Sequence, residues 1–286
     1  MGYEFVENNK KQGFLYLFML LTYNIVSLFV ALILVIIKAE GLFAVIISSL
    51  TSPIAFTITG LFFKSQARAS LETIKSRFSF KLLIFSLMIA IGMLFAFGYL
   101  NIIFGNFLNQ IGLKSSASSI KVASLTDYLL LTLFVGVVPA VFEEFFFRGM
   151  FLNSLKPFGA VFSLIISSVC FSLYHGSVSM LLYQFIYGLV LGLIFYQTDN
   201  LIYGIIIHFV NNFTVLSFEY FGIFLIDQWY IIVVGFILVI GGILGIVNQR
   251  KVKLTPGKNA KKDFFVPYGI LAILLAVLTV LLGALL

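Results

Sequence analysis

The chain has 286 residues, of which 61% are hydrophobic and only 10% charged, and its mean hydropathy is +1.13. These values exclude an ordinary soluble domain and indicate an all-α, polytopic transmembrane helix bundle. The net charge of +7 does not point to nucleic acid, because the lysines and arginines cluster in the gaps between apolar runs. A single cysteine, Cys170, excludes an intrachain disulfide and reads as packing.

Nine apolar runs approach the roughly 20 residues that a bilayer crossing requires. They lie at about 14–37, 42–63, 82–104, 127–152, 157–175, 179–197, 200–219, 230–248 and 264–286. The first is too long for a signal h-region and reads as a retained span. The cluster Ser48-Ser49-Leu50-Thr51-Ser52-Pro53 can bend the second run or supply helix-packing hydroxyls. Polar breaks fall at Lys64–Lys81, Lys114–Asp127 and Asn248–Asp263, and Pro256-Gly257 marks the last as a surface loop. The seventh run carries His208, Asn211, Asn212 and Glu219 and is the one most prone to break or re-enter.

Loop charge orients the spans. With nine crossings and a cytoplasmic N-terminus, fifteen basic residues fall inside: Lys10, Lys11, Lys64, Arg68, Lys75, Arg77, Lys81, Arg148, Lys156, Arg250, Lys251, Lys253, Lys258, Lys261 and Lys262. Only Lys38, Lys114 and Lys121 fall outside. No internal repeat suggests an inverted-repeat transporter. Residues 1–126 read as a three-span scaffold, 127–220 as the functional core in spans four to seven, and 221–286 as the C-terminal spans.

The most informative stretch is Phe142–Gly149, which sets two adjacent carboxylates and an arginine inside the fourth run. On insertion scales each such charge at a helix centre costs about 2.5–3.5 kcal/mol, so these groups are expected to be paired, turned inward and functional. Glu144 and Arg148 are four apart on one face and can form an ion pair. Glu143 is rotated by about 100° and has no basic residue three or four positions away. One acid reads as structural, the other as free for chemistry. Pro139, four residues before Glu143, removes a helical hydrogen bond and is expected to kink the span there.

The only two histidines, His175 and His208, both lie in the core. His208 and Asn212 share a helix face, as do Phe171 and His175, whose ring can shield the imidazole. From the nearest turn at one side of the membrane, Glu143, His175 and His208 lie at depths of about 20, 28 and 13 Å, which permits convergence without requiring it. A glutamate, two histidines and an amide suit attack by an activated water. The carboxylate acts as general base, one imidazole assists, and the other imidazole with the amide supports an oxyanion. The same Glu143, His175 and His208 could instead be three ligands of a hydrolytic zinc, although the HExxH pattern is missing.

Glu143-Glu144-Phe-Phe-Phe-Arg148 fits an EExxxR motif, Phe171-Ser-Leu-Tyr-His175 fits FxxxH, and His208-Phe-Val-Asn-Asn212 fits HxxxN. In that order and at those intervals, over about residues 127–215, the chain resembles the CPBP family. That family comprises the CAAX prenyl endopeptidases and their prokaryotic relatives, including the bacteriocin-processing and immunity-type (Abi) proteins. The resemblance implies a helical intramembrane protease with Glu143 as the water-activating base and His175 as its assistant. It implies an oxyanion site at His208 and Asn212, and structural or substrate-orienting roles for Glu144 and Arg148. It also implies glutamate-dependent catalysis without a cofactor, zinc being the alternative.

Two other functions fit a buried Glu, His and Asn cluster: a non-catalytic scaffold or immunity protein, and a proton-coupled transporter. Intact motifs disfavour the first, and the gathering of polar residues in one region disfavours the second. The expected partners are membrane lipid and a hydrophobic peptide or membrane-anchored protein substrate, with no nucleic acid. The expected location is a prokaryotic plasma membrane, and no sequence signal specifies an oligomeric state.

Overall fold

The computed structural model describes residues 11–74, 78–112, 122–223, 228–250, 256–257 and 261–285. Apart from one isolated β-bridge between Gly159 and Pro256, the regular structure among these residues is helical. Long apolar segments leave the backbone no water to bond with, so each satisfies its own N–H and C=O groups as a helix. Among the described residues eight helices are long and apolar enough to cross a membrane, and the protein is an integral multi-pass bundle.

In chain order these are α1 (Lys11–Ile36), α2 (Gly41–Phe62), the short α3 (Lys64–Ile74), α4 (Phe80–Gln110) and α5 (Leu125–Phe158). They are followed by α6 (Ala160–Tyr174), α7 (Val178–Thr198), α8 (Leu201–Phe221) and α9 (Trp229–Arg250). The last, α10, begins at Lys262, passes through π turns at Phe265–Gly269 and continues as Ile270–Leu285. Side chains such as Leu28, Val35, Trp229 and Leu274 are exposed on the outer faces of the bundle, where lipid takes the place of a protein neighbour.

All nine apolar runs become helices, but the fifth is shorter than its run. Helix α6 has 15 residues, about 22 Å, against a hydrocarbon core of about 30 Å. The seventh run, where a break was expected, is instead the continuous 21-residue α8. The second run is interrupted at Leu50, and beside that point Ser52 shares a 2.5 Å hydrogen bond with the Tyr174 hydroxyl. The expected break at 64–81 holds α3, whose Ser70 and Thr73 are buried while Lys64, Arg68 and Glu72 face outward.

Contacts between helix ends show which of them lie together. Gly13 of α1 packs against Phe264 and Gly269, Gly159 bridges to Pro256, and Lys156 pairs with Asp199 at 2.8 Å. The start of α1, the α5–α6 turn, the end of α7 and the loop before α10 therefore share one end. Gly283, near the end of α10, packs against Gly176 in the α6–α7 turn at the other end. Arg148 leaves the loop-charge count, because it is buried within α5. Lys10, Lys75, Arg77, Lys114, Lys121, Lys251, Lys253 and Lys258 lie outside the described residues.

Helix α5 positions the acids through an irregularity on either side of them. Its α-helical segment Val138–Glu144, with Pro139 in the first turn, lies between π segments at Thr132–Val137 and Phe145–Leu152. The bend expected at Pro139 thus takes the form of widened turns, a geometry that recurs at functional sites. The second π segment is held by neighbours: Ser70 of α3 donates to the Phe145 carbonyl at 3.0 Å, and Ser167 of α6 donates to that of Phe147 at 3.3 Å. Gly149 is required there, because a Cβ would collide with Ser70. The rings of this segment anchor it in the core, Phe146 stacked on Phe56 and Phe147 edge-on to Phe171.

Candidate active site

Helices α5, α6 and α8 bring the three motifs together. Glu144 is fully buried and its Oε1 accepts two hydrogen bonds, from Arg148 Nη1 at 2.8 Å and from His208 Nδ1 at 2.9 Å. The first is the i, i+4 ion pair expected from spacing; the second comes from a helix 64 residues away. Gly204, one turn before His208, makes room for it, because a Cβ there would stand 2.9 Å from Glu144 Oε2. Arg148 is held on two more sides. Its guanidinium carbon lies 4.2 Å above the Phe171 ring, and Nη2 reaches the Gly188 carbonyl of α7 at 3.5 Å.

Glu143 faces a different neighbourhood. Its Oε2 lies 3.8 Å from His175 Nε2 and 3.9 Å from His208 Nε2, and it is buried with no hydrogen-bond partner among the described residues. Both separations exceed a direct hydrogen bond, and a water about 2.8 Å from each atom bridges such a gap. The two imidazoles are oriented from behind. His175 Nδ1 lies 2.8 Å from the Phe171 carbonyl and His208 Nδ1 lies on Glu144, so in the neutral tautomer that donates to these oxygens both Nε2 lone pairs are free. His175 caps the C-terminal end of α6 and its side chain is 17% exposed, against 5% for His208, so it stands on the more open side.

Phe171 lies at the centre of the cluster. Its ring is edge-on to His175 at 4.7 Å and to His208 at 6.1 Å, besides carrying Arg148 on one face. Shielding of His175 was legible from the i, i+4 spacing, whereas the contacts with Arg148 and His208 were not. Asn212 is partly buried and donates to the Val135 carbonyl at 3.3 Å, in the first π segment. Its neighbour Asn211 is buried, donates to Asn212 Oδ1 at 3.3 Å and accepts from the Tyr183 hydroxyl at 2.6 Å. Cys170 is buried and unpaired in a disulfide sense, with its carbonyl accepting from Tyr16, in keeping with a packing role.

With neutral imidazoles, two ionised glutamates and Arg148 give the cluster a charge of −1, and one mobile proton brings it to zero. Such a cluster can bind a water and move its proton. Among the described residues, no group of three or more His, Cys, Asp or Glu is arranged to hold a metal ion. The donor set of Glu143, His175 and His208 has the chemistry of a zinc site but its atoms stand apart by the distances given above. Residues that sequence reasoning passed over are Gly188, Gly204, Tyr183 and Tyr187. The last two are four apart in an apolar helix, the one signal that could have drawn attention to them.

No curated protein and no solved structure matches the chain. Residues 125–214, which contribute every acid, histidine and asparagine of this cluster, match the family model of the Rce1-like type II CAAX prenyl endopeptidases, and this site-bearing segment belongs to the CPBP family of CAAX proteases.

Proposed function

We propose that the protein is an intramembrane endopeptidase that hydrolyses a peptide bond in a hydrophobic or membrane-anchored polypeptide, with water activated by Glu143. One observation carries this reading: the buried Glu143 Oε2 has no partner and stands 3.8 and 3.9 Å from two imidazole Nε2 atoms. An unpaired buried carboxylate oxygen is costly and calls for a polar occupant. A substrate water fits that gap.

In the proposed reaction Glu143 takes a proton from the water while the water oxygen bonds to the scissile carbonyl carbon. The carbonyl π electrons move onto oxygen, and the resulting oxyanion is met by the Asn212 amide and by His208 with its Nε2 protonated. His175 orients the attacking water. Collapse re-forms the carbonyl and breaks the C–N bond, and the proton on Glu143 passes to the leaving nitrogen. Glu144 and Arg148 hold His208 rather than touch the reacting atoms. A non-catalytic scaffold has no use for the unpaired Glu143 oxygen, which favours the enzyme.

The test uses purified protein in detergent or vesicles and a library of hydrophobic peptides. Wild type should cleave members of the library, and Glu143→Gln should abolish cleavage while the protein stays folded and inserted. Equal activity of the two would sink the assignment of the base.

A further inference from the structure

We infer that Tyr187 is a catalytic residue of this site, its hydroxyl donating a hydrogen bond to the oxygen that becomes negative during peptide hydrolysis; this rests on the protease reading above. Tyr187 lies on α7, which contributes none of the residues assigned so far. Its side chain is 1% exposed, and its hydroxyl is buried without a partner among the described residues. A tyrosine O–H usually finds a partner when buried, so an orphan demands an occupant.

Where that occupant sits follows from the neighbours. Tyr183 and Tyr187 are stacked one turn apart, with centroids 5.7 Å apart and planes 14° from parallel. The Tyr183 hydroxyl reaches Asn211 of α8 at 2.6 Å. Helices α7 and α8 are joined at residues 199–200 and run antiparallel, so one turn further along α7 corresponds to one turn back along α8, at the level of His208. The Tyr187 ring meets the His208 ring edge-on there, with centroids 5.8 Å apart and planes at 89°. It is also close enough to Glu144, Arg148 and Glu143 for their charges to act on it. Three other buried atoms of this cluster have no partner: Glu143 Oε2, Glu144 Oε2 and Arg148 Nε. Four buried polar atoms of this cluster, on α5 and α7, are thus without a partner, and such groups call for a polar occupant.

The site is short of neutral donors for an oxyanion. His208 Nδ1 is committed to Glu144, leaving Nε2 a lone pair unless it gains a proton, and Asn212 spends one amide hydrogen on Val135. The Tyr187 O–H supplies a donor that costs no protonation step, in a water-poor setting where a fixed dipole acts strongly.

Tyr187→Phe removes one oxygen atom and nothing else, and Tyr183→Phe serves as the structural control. Kinetics and thermal unfolding are measured on both, beside wild type, with a peptide that wild type cleaves. The expected result is a fall in kcat of about 10²–10³-fold for Tyr187→Phe, with KM unchanged and Tm equal or higher. Tyr183→Phe, which loses a bond to Asn211, should lower Tm instead. Unchanged kcat in Tyr187→Phe overturns the inference while leaving the protease intact. So does a loss of Tm or of accumulation in that variant, because the hydroxyl would then be holding the fold. A wild type that cleaves nothing removes the protease reading and this inference together.

Discussion

Glu144 and His208, 64 residues apart in sequence, are joined by a 2.9 Å hydrogen bond through the same carboxylate oxygen that pairs with Arg148. An acid whose spacing suggests a purely structural ion pair therefore also sets the orientation of a histidine in the site. The chain Arg148–Glu144–His208 is buried along its whole length, and two of its atoms, Glu144 Oε2 and Arg148 Nε, have no partner among the described residues.

Breaking this chain should cost stability as well as activity. Removal of one partner from a buried ion pair leaves an uncompensated charge, at about 3–5 kcal/mol. Arg148→Ala additionally loses the guanidinium from the Phe171 face and from the Gly188 carbonyl. Both Arg148→Ala and Glu144→Gln should show a lower Tm and a lower membrane yield than wild type, measured by thermal unfolding in detergent. Peptide cleavage should fall in both, since His208 loses its charged partner in Glu144→Gln and that partner loses its own anchor in Arg148→Ala. Wild-type Tm in these variants would show that the pair carries no weight in the fold.

The second prediction concerns metal. Glu143 as base, His175 as its assistant and His208 with Asn212 at the oxyanion complete the proposed reaction without a Lewis acid, so peptide cleavage should survive prolonged strong chelation. Purified protein should carry zinc well below one equivalent by elemental analysis. Loss of activity on chelation with rescue by zinc alone would overturn this, and Glu143, His175 and His208 would then be first in line as ligands.

How much of this could be read from the sequence divides along a physical line. Apolar run length and in-helix periodicity specify local facts: the helical runs, the Glu144–Arg148 pair, and the shared face of Phe171 and His175. Rotation of one helix about its axis relative to another is not a local property. The His208–Glu144 bond, the placement of Arg148 over Phe171 and the Tyr187–His208 contact were therefore invisible. The π segments flanking Val138–Glu144 have carbonyls bonded by donors from elsewhere in the chain: Asn212 on α8 for the first, Ser70 on α3 and Ser167 on α6 for the second. Pro139 flagged the irregularity without giving its form. The polar composition of 64–81 hid α3, whose buried face is made of Ser70 and Thr73 rather than of apolar residues.

The third prediction is topological. Arg148 is removed from the loop count by its burial, which leaves fourteen basic residues inside against three outside from the original fifteen and three. That asymmetry still requires a cytoplasmic N-terminus. The short α6 does not disturb this. Lys156 and Asp199 pair at one end of the α6–α7 hairpin, so whether it crosses fully or turns back within the membrane, the chain enters and leaves on the same side. Reporter fusions at Lys258 and at the C-terminus, both outside the described residues, should therefore give a cytoplasmic signal at the first and an external one at the second. The reverse pattern refutes the orientation. Depth of the hairpin is a separate measurement, and the buried Cys170 leaves a quiet background for it. Because Gly176 in the α6–α7 turn packs against Gly283 near the end of α10, Val178→Cys should react with a membrane-impermeant thiol reagent added outside; an unlabelled variant would show that the turn ends inside the bilayer.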